Sequence, residues 1–182
     1  VRRPVLLYGD SFAQGVAGVE RFQTILNDDP DFARDHYLLN YAVGGYGVDQ
    51  IYLLFEASVD RFEDPFVVFS LMTFDLDRSV LSVRIGQKPY FEVTDGRLDL
   101  HGVPVESRPE DYFAAHPARA GSYLFRRLAR LLWRADIGGS QRTRAKKQRV
   151  NQAILDAAIR QLDARRLDYV ILVFHARKAF RE

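Results

Sequence analysis

Apolar and polar positions along the chain follow two rhythms. Nearly continuous apolar runs stand at residues 5–8, 37–41, 66–71 and 168–174. Runs this short, without alternation, predict parallel strands buried on both faces. Between them apolar residues recur at helical spacing. Val16, Val19, Phe22, Ile25 and Leu26 predict a helix over residues 12–26 packed on the sheet. Ile51, Leu54, Phe55 and Val59 predict the inner face of a helix opened by Val48 or Asp49. Leu124, Leu128, Leu131 and Leu132 predict one over 123–134, and Ile154, Ala158, Ile159 and Leu162 one over 148–165. Residues 27–31 read as a polar break, Asp64-Pro65 as a helix stop, and residues 137–144, with Gly138-Gly139-Ser140, as a flexible break. Strands alternating with helices predict an α/β fold, a three-layer α/β/α arrangement around a doubly wound, mainly parallel sheet.

Residues 83–106 change character. Alternating positions flank Asp95-Gly96, a dipeptide suited to a tight two-residue turn, so a β-hairpin is expected as an insertion after the third strand. It can rim a pocket or be inert decoration. The remainder of 1–182 reads as a single domain, a length suited to one core.

Composition narrows the classes. With 47% hydrophobic and 27% charged residues the chain has the make-up of an ordinary globular domain, and no apolar run is long enough for a transmembrane segment. Without cysteine there is no disulfide framework and no thiolate chemistry, though this does not fix a compartment. Any targeting segment is expected to precede Val1. The net charge of +2 hides an asymmetry: residues 1–125 carry 11 basic against 19 acidic side chains, whereas 126–149 carry nine basic ones against Asp136. That stretch reads either as a solvated helix face and loop or as a patch for an anionic surface. It lacks the interleaved aromatics of a nucleic-acid module, so no nucleic-acid partner is expected. No phosphate-cradling glycine loop and no metal-ligand cluster is apparent, so neither a cofactor nor a metal is expected.

The candidate chemistry sits where the first strand stops. Gly9-Asp10-Ser11-Phe12 is a strand-to-helix turn at the carboxyl edge of the sheet, where open α/β folds bind ligands. One reading is that Asp10 or Ser11 simply caps the helix. The other is that Ser11 is a nucleophile with backbone N–H donors beside it. The glycines of Asn40-Tyr41-Ala42-Val43-Gly44-Gly45-Tyr46-Gly47 read either as a plain turn or as a loop whose backbone lines an oxyanion hole.

These two stretches, with a weaker third at residues 67–75, resemble blocks I to III of the SGNH/GDSL hydrolases. The resemblance implies a flavodoxin-like fold and a serine esterase or acylhydrolase without a cofactor, acting on a small-molecule or glycan ester through an acyl-enzyme. It implies Ser11 as nucleophile, Gly45 as an oxyanion donor through its N–H, and Asp10 and Asp75 as site aspartates. The chain departs from the family in the third block: Ser70 replaces the expected glycine and Phe74 the expected oxyanion asparagine. Phenylalanine has no donor; Thr73 or a backbone N–H then substitutes, or the activity is weak. Asp75 can equally brace its loop.

A serine nucleophile needs a base, which the family takes from Asp-x-x-His. None of His36, His101, His116 and His175 has an aspartate three positions earlier. The base-bearing block and a last strand are therefore expected beyond Glu182, with His175, at a strand end, as the rival inside the chain. Two alternatives remain open: an acetyltransferase or deacetylase acting on a polysaccharide, and a degenerate carbohydrate-binding domain.

Overall fold

A computed structural model of the chain describes residues 2–16, 18–84, 86–117 and 141–175. The helix expected over 123–134 and the start of the break after it lie outside these residues.

The sheet is built from β1 (Arg3–Tyr8), β2 (His36–Asn40), β3 (Phe66–Met72) and β6 (Tyr169–Phe174). Their order is β2-β1-β3-β6 and every pairing is parallel. All four carboxyl ends therefore lie on one edge. Alternate side chains of β1 serve opposite faces: Leu6 and Tyr8 join a large core cluster, whereas Val5 and Leu7 join a smaller one.

The large cluster is closed by two long helices. In α4 (Val48–Ser58), Ile51, Tyr52 and Phe55 are buried, followed by Val59. In α7 (Gln141–Ala164), Val150, Ile154, Ala158 and Leu162 are buried. The apolar stripe of α7 matches the expected one, but the helix begins at Gln141, inside the stretch read as a break.

The other face is covered by short pieces, α1 (Ser11–Gln14), α2 (Phe22–Asp28) and α3 (Pro30–Asp35). The single helix expected over 12–26 is thus corrected to two. Gly15, directly after α1, takes φ 83°, which ends the first piece after one turn, and Gly18 takes φ 82° in the link to α2. Val16 and Val19 are consequently 70% and 65% exposed, and Ile25 and Leu26 are exposed as well. Only Phe22 of the expected stripe packs under the sheet. The polar break at 27–31 is a helix cap: the Asp29 carboxylate accepts the N–H groups of Asp31 and Phe32, and Pro30 opens α3.

After β3 a short α5 (Asp75–Arg78) leads to the hairpin β4 (Tyr90–Thr94) and β5 (Arg97–His101), which pairs as its own two-stranded antiparallel sheet. Asp95 and Gly96 both have positive φ, as a type I′ turn requires. Phe91 is buried against Tyr52 of α4, with ring centroids 5.8 Å apart, so the hairpin lies on the helix layer. A last short helix, α6 (Pro109–Ala115), follows it.

Gly9 shows how tightly the first turn is packed. A Cβ there would lie 2.6 Å from Ser70 Oγ and 2.7 Å from Ala13 Cβ. Gly9→Ala must push the turn away from β3, and overpacking of this kind costs roughly 1–3 kcal/mol. The expected result is a lower urea midpoint at unchanged m-value.

Candidate active site

β1 ends at the turn Gly9-Asp10-Ser11, and here the two readings of the pair separate. Asp10 is the N-cap: its Oδ1 accepts the Phe12 N–H at 2.9 Å, and it is only 1% exposed. Ser11 is the first residue of α1 and is exposed, its Oγ lying 3.4 Å from Asp10 Oδ2. The serine hydroxyl is therefore not spent on capping.

The loop after β2 is stitched onto this turn. Asn40 Nδ2 donates to the Ala13 carbonyl (2.8 Å), and Asn40 Oδ1 accepts from Ala42 N (2.9 Å). Val43 N donates to the Gly9 carbonyl (3.0 Å), and Gly44 N donates to Gln14 Oε1 (2.8 Å). A Cβ on Gly44 would stand 3.7 Å from Ser11 Cβ, so this glycine is the loop residue alongside the serine. Gly45 comes next, with φ +90°, and its carbonyl accepts from Arg84 Nη1. Among the described residues, the N–H groups of Ser11 and Gly45 donate to no other group.

The loop after β3 reaches the same edge. Asp75 is fully buried; its Oδ2 accepts the Met72 N–H at 2.7 Å and its Oδ1 accepts from Arg78 at 2.6 Å. These contacts brace the loop. Burial, and then the charge of Asp10, push the Asp75 carboxyl up to about 6 against the pull of Met72 N–H and Arg78. Phe74 is exposed. The Thr73 N–H donates to the Phe174 carbonyl at 3.1 Å, so of the Thr73 donors only the side-chain hydroxyl is left for a ligand.

The histidines are dispersed. His36 begins β2 opposite Arg3, at the amino edge. His101 ends β5 and His116 follows α6. His175 directly follows β6, on the carboxyl edge, and its neighbour Phe174 has its ring 5.7 Å from that of Phe12.

Beyond the glycine loop lies a cavity of about 430 Å³ walled by Gly45, Tyr46, Gln50, Arg84, Gln87 and Lys88. Lys88 is buried, and its ammonium pairs with Asp49 in the first turn of α4 and donates to the Leu81 carbonyl at 3.0 Å. Burial pushes the Asp49 carboxyl up to about 6 even with Lys88 against it. The described residues hold no grouping of His, Asp and Glu suited to a metal, and no helix among them is long and apolar enough to cross a membrane.

Sequence reasoning missed Gln14, Asn40, Arg78 and Lys88 as parts of this edge. Asn40 opens the glycine stretch and Gln14 lies two positions past the serine turn, but neither the spacing nor the residue type announces a side chain that fastens one loop to another.

No protein-family model matches the chain, and no curated protein matches it by sequence. Among solved structures, a crystal structure of the acetyl xylan esterase AlAXEase is matched at 17% identity, over 97% of this chain and 79% of that one, with a TM-score of 0.35. A likeness at that level leaves the activity of this chain to be argued from its own residues.

Proposed function

We propose that the protein is a serine hydrolase of carboxylic esters, related to the SGNH/GDSL hydrolases. The observation that carries this reading is the exposed Ser11 hydroxyl at a capped helix start, with Gly44 close beside it and the Gly45 N–H next in the loop. Ser11 attacks the acyl carbon, and the N–H groups of Ser11 and Gly45 receive the developing oxyanion. The alcohol leaves, and water then releases the acid from the acyl-enzyme. The proton goes to a histidine. His175, directly after β6, is the one that the chain delivers to this edge.

A second reading, that the ester is an acetyl group on a polysaccharide with water or a sugar hydroxyl as acceptor, is favoured by the cavity beside Gly45. Its walls carry two primary amides, a guanidinium, a phenol and the Lys88 side chain, and no Val, Leu, Ile or Phe. Such walls suit hydroxyl groups better than a long acyl chain.

The test is labelling by an alkyl fluorophosphonate followed by peptide mass mapping. A phosphonyl adduct on the peptide holding Ser11, blocked by prior incubation with an acetate ester, is expected. A protein that releases acetate while its adduct maps to another residue would reject Ser11 as the nucleophile.

A further inference from the structure

Three loops leave the carboxyl edge around Ser11, and one nitrogen touches all three. Arg78 Nη1 donates to Asp75 Oδ1 at 2.6 Å and to the Tyr46 carbonyl at 3.2 Å, and lies 3.6 Å from Asp10 Oδ2. Asp10 belongs to the turn after β1, Tyr46 to the glycine loop after β2, and Asp75 to the start of α5 after β3. We infer that Arg78 is a positioning residue of this site, holding the Ser11 turn and the glycine loop in a fixed relation through Asp10, Asp75 and the Tyr46 carbonyl. The catalytic purpose of that relation rests on the ester-hydrolase reading; the relation itself does not.

The charges explain why an arginine is required. Asp10 and Asp75 are 1% and 0% exposed, and the charge of Asp10 helps to raise the Asp75 carboxyl. Two buried carboxylates this close stay ionised together only with a cation between them. The Phe12 and Met72 N–H groups each satisfy one oxygen, and the guanidinium supplies the charge. Other cations near this edge are engaged elsewhere: Lys88 with Asp49 from α4, Lys147 of α7 with Asp77 of α5 at 2.7 Å, and Arg84 with the Gly45 carbonyl. Lys88 donates to the Arg78 carbonyl at 3.3 Å, which holds the backbone of the arginine and leaves the guanidinium free to bridge. Asp10 Oδ2, the oxygen facing Arg78, is also the one 3.4 Å from Ser11 Oγ, so a displaced Asp10 reorients the serine hydroxyl. A lysine has the charge but not the planar fork that meets several acceptors at once.

The experiment compares Arg78→Gln, Arg78→Lys and Arg78→Ala with the wild type, using p-nitrophenyl acetate kinetics and NMR of the backbone amides and Asp carboxyl carbons. In Arg78→Gln, kcat is expected to fall about 100-fold with KM changed far less, as for a misplaced catalytic group. The acid limb of kcat should move to higher pH as the Asp75 carboxyl, without the guanidinium, holds its proton longer. Arg78→Lys should recover part of the loss, and added guanidinium should partly rescue Arg78→Ala. The amides of Ser11 and Gly45 should shift together in Arg78→Gln. That readout needs no turnover, so it decides the inference even if the protein hydrolyses no ester. Unmoved Ser11 and Gly45 amides with an unchanged Asp75 titration would overturn it, as would a fall in thermal stability with kcat and its pH profile intact.

Discussion

Ser11→Ala is expected to lower the turnover of p-nitrophenyl acetate by about 10⁴-fold or more, down to what binding and oxyanion donors supply alone. The size follows from what the substitution removes. An oxyanion hole accelerates attack by an external water only modestly, whereas the covalent route is lost outright once the hydroxyl is gone. The same change should leave the fold nearly untouched. The Ser11 side chain is exposed and does not cap α1; the cap is Asp10, whose bond to Phe12 N survives. Its one polar contact among the described residues, to Asp10 Oδ2, is long at 3.4 Å. Surface substitutions of this kind stay within about 0.5 kcal/mol. The paired measurement is kcat/KM beside a urea melt. Equal turnover in wild type and variant would remove Ser11 from the chemistry; activity lost together with the melt would mean that the serine was structural. The reciprocal substitution, Asp10→Ala, affects both at once, because Asp10 caps the helix and also faces Arg78.

Much of this architecture was legible from periodicity because the central strands β1 and β3 are mostly buried, whereas β6, also expected to be buried on both faces, leaves Val170, Leu172, Val173 and Phe174 exposed at the end of the described sheet. Continuous apolar runs such as Val5–Leu7 and Val67–Phe69 can satisfy no other arrangement so well, and the Asp95-Gly96 turn advertises its own geometry. The helix that failed, over 12–26, failed for a local reason. The apolar residues had helical spacing, but two glycines in left-handed conformation interrupted them, and Val16 and Val19 ended in solvent. Periodicity records where a residue would point if the helix ran on; it does not say whether the backbone continues. The site was legible only at its motifs. Ser11 and the glycine loop are local sequence features. The Arg78 bridge spans loops 32 and 68 positions away, and the pairing of Lys88 with Asp49 joins the segment before the hairpin to α4. Such contacts become visible only once the sheet has placed the loops side by side.

The pairing of Lys88 with Asp49 carries the largest expected effect on stability. Both side chains are buried, and they join the start of α4, just past the glycine loop, to the segment leading into β4. Lys88→Met keeps most of the aliphatic volume and strands a carboxylate in the interior, a loss of about 3–5 kcal/mol at pH 8. Its pH dependence distinguishes this cause from poor packing. With Lys88 present Asp49 already titrates at about 6, above the 3.8 of a free aspartate, because burial outweighs the pairing. Removing the ammonium raises the folded value further. A raised folded value means that the native state holds a proton which the unfolded chain has released, so stability falls as pH rises between the two values. The deficit of Lys88→Met relative to wild type should therefore be complete above its own folded value, shrink as the pH falls through it, and be smallest near pH 4–5. A second substitution, Asp49→Asn, removes the charge itself and should restore much of the stability at pH 8, whereas Asp49→Asn alone leaves Lys88 without its counter-ion and should destabilise. Chemical melts of the four proteins at pH 5 and pH 8 close the cycle. A deficit of the same size at both pH values, or a double variant no better than Lys88→Met, would show that the ammonium acts there through its shape and its bonds to backbone carbonyls rather than through its charge.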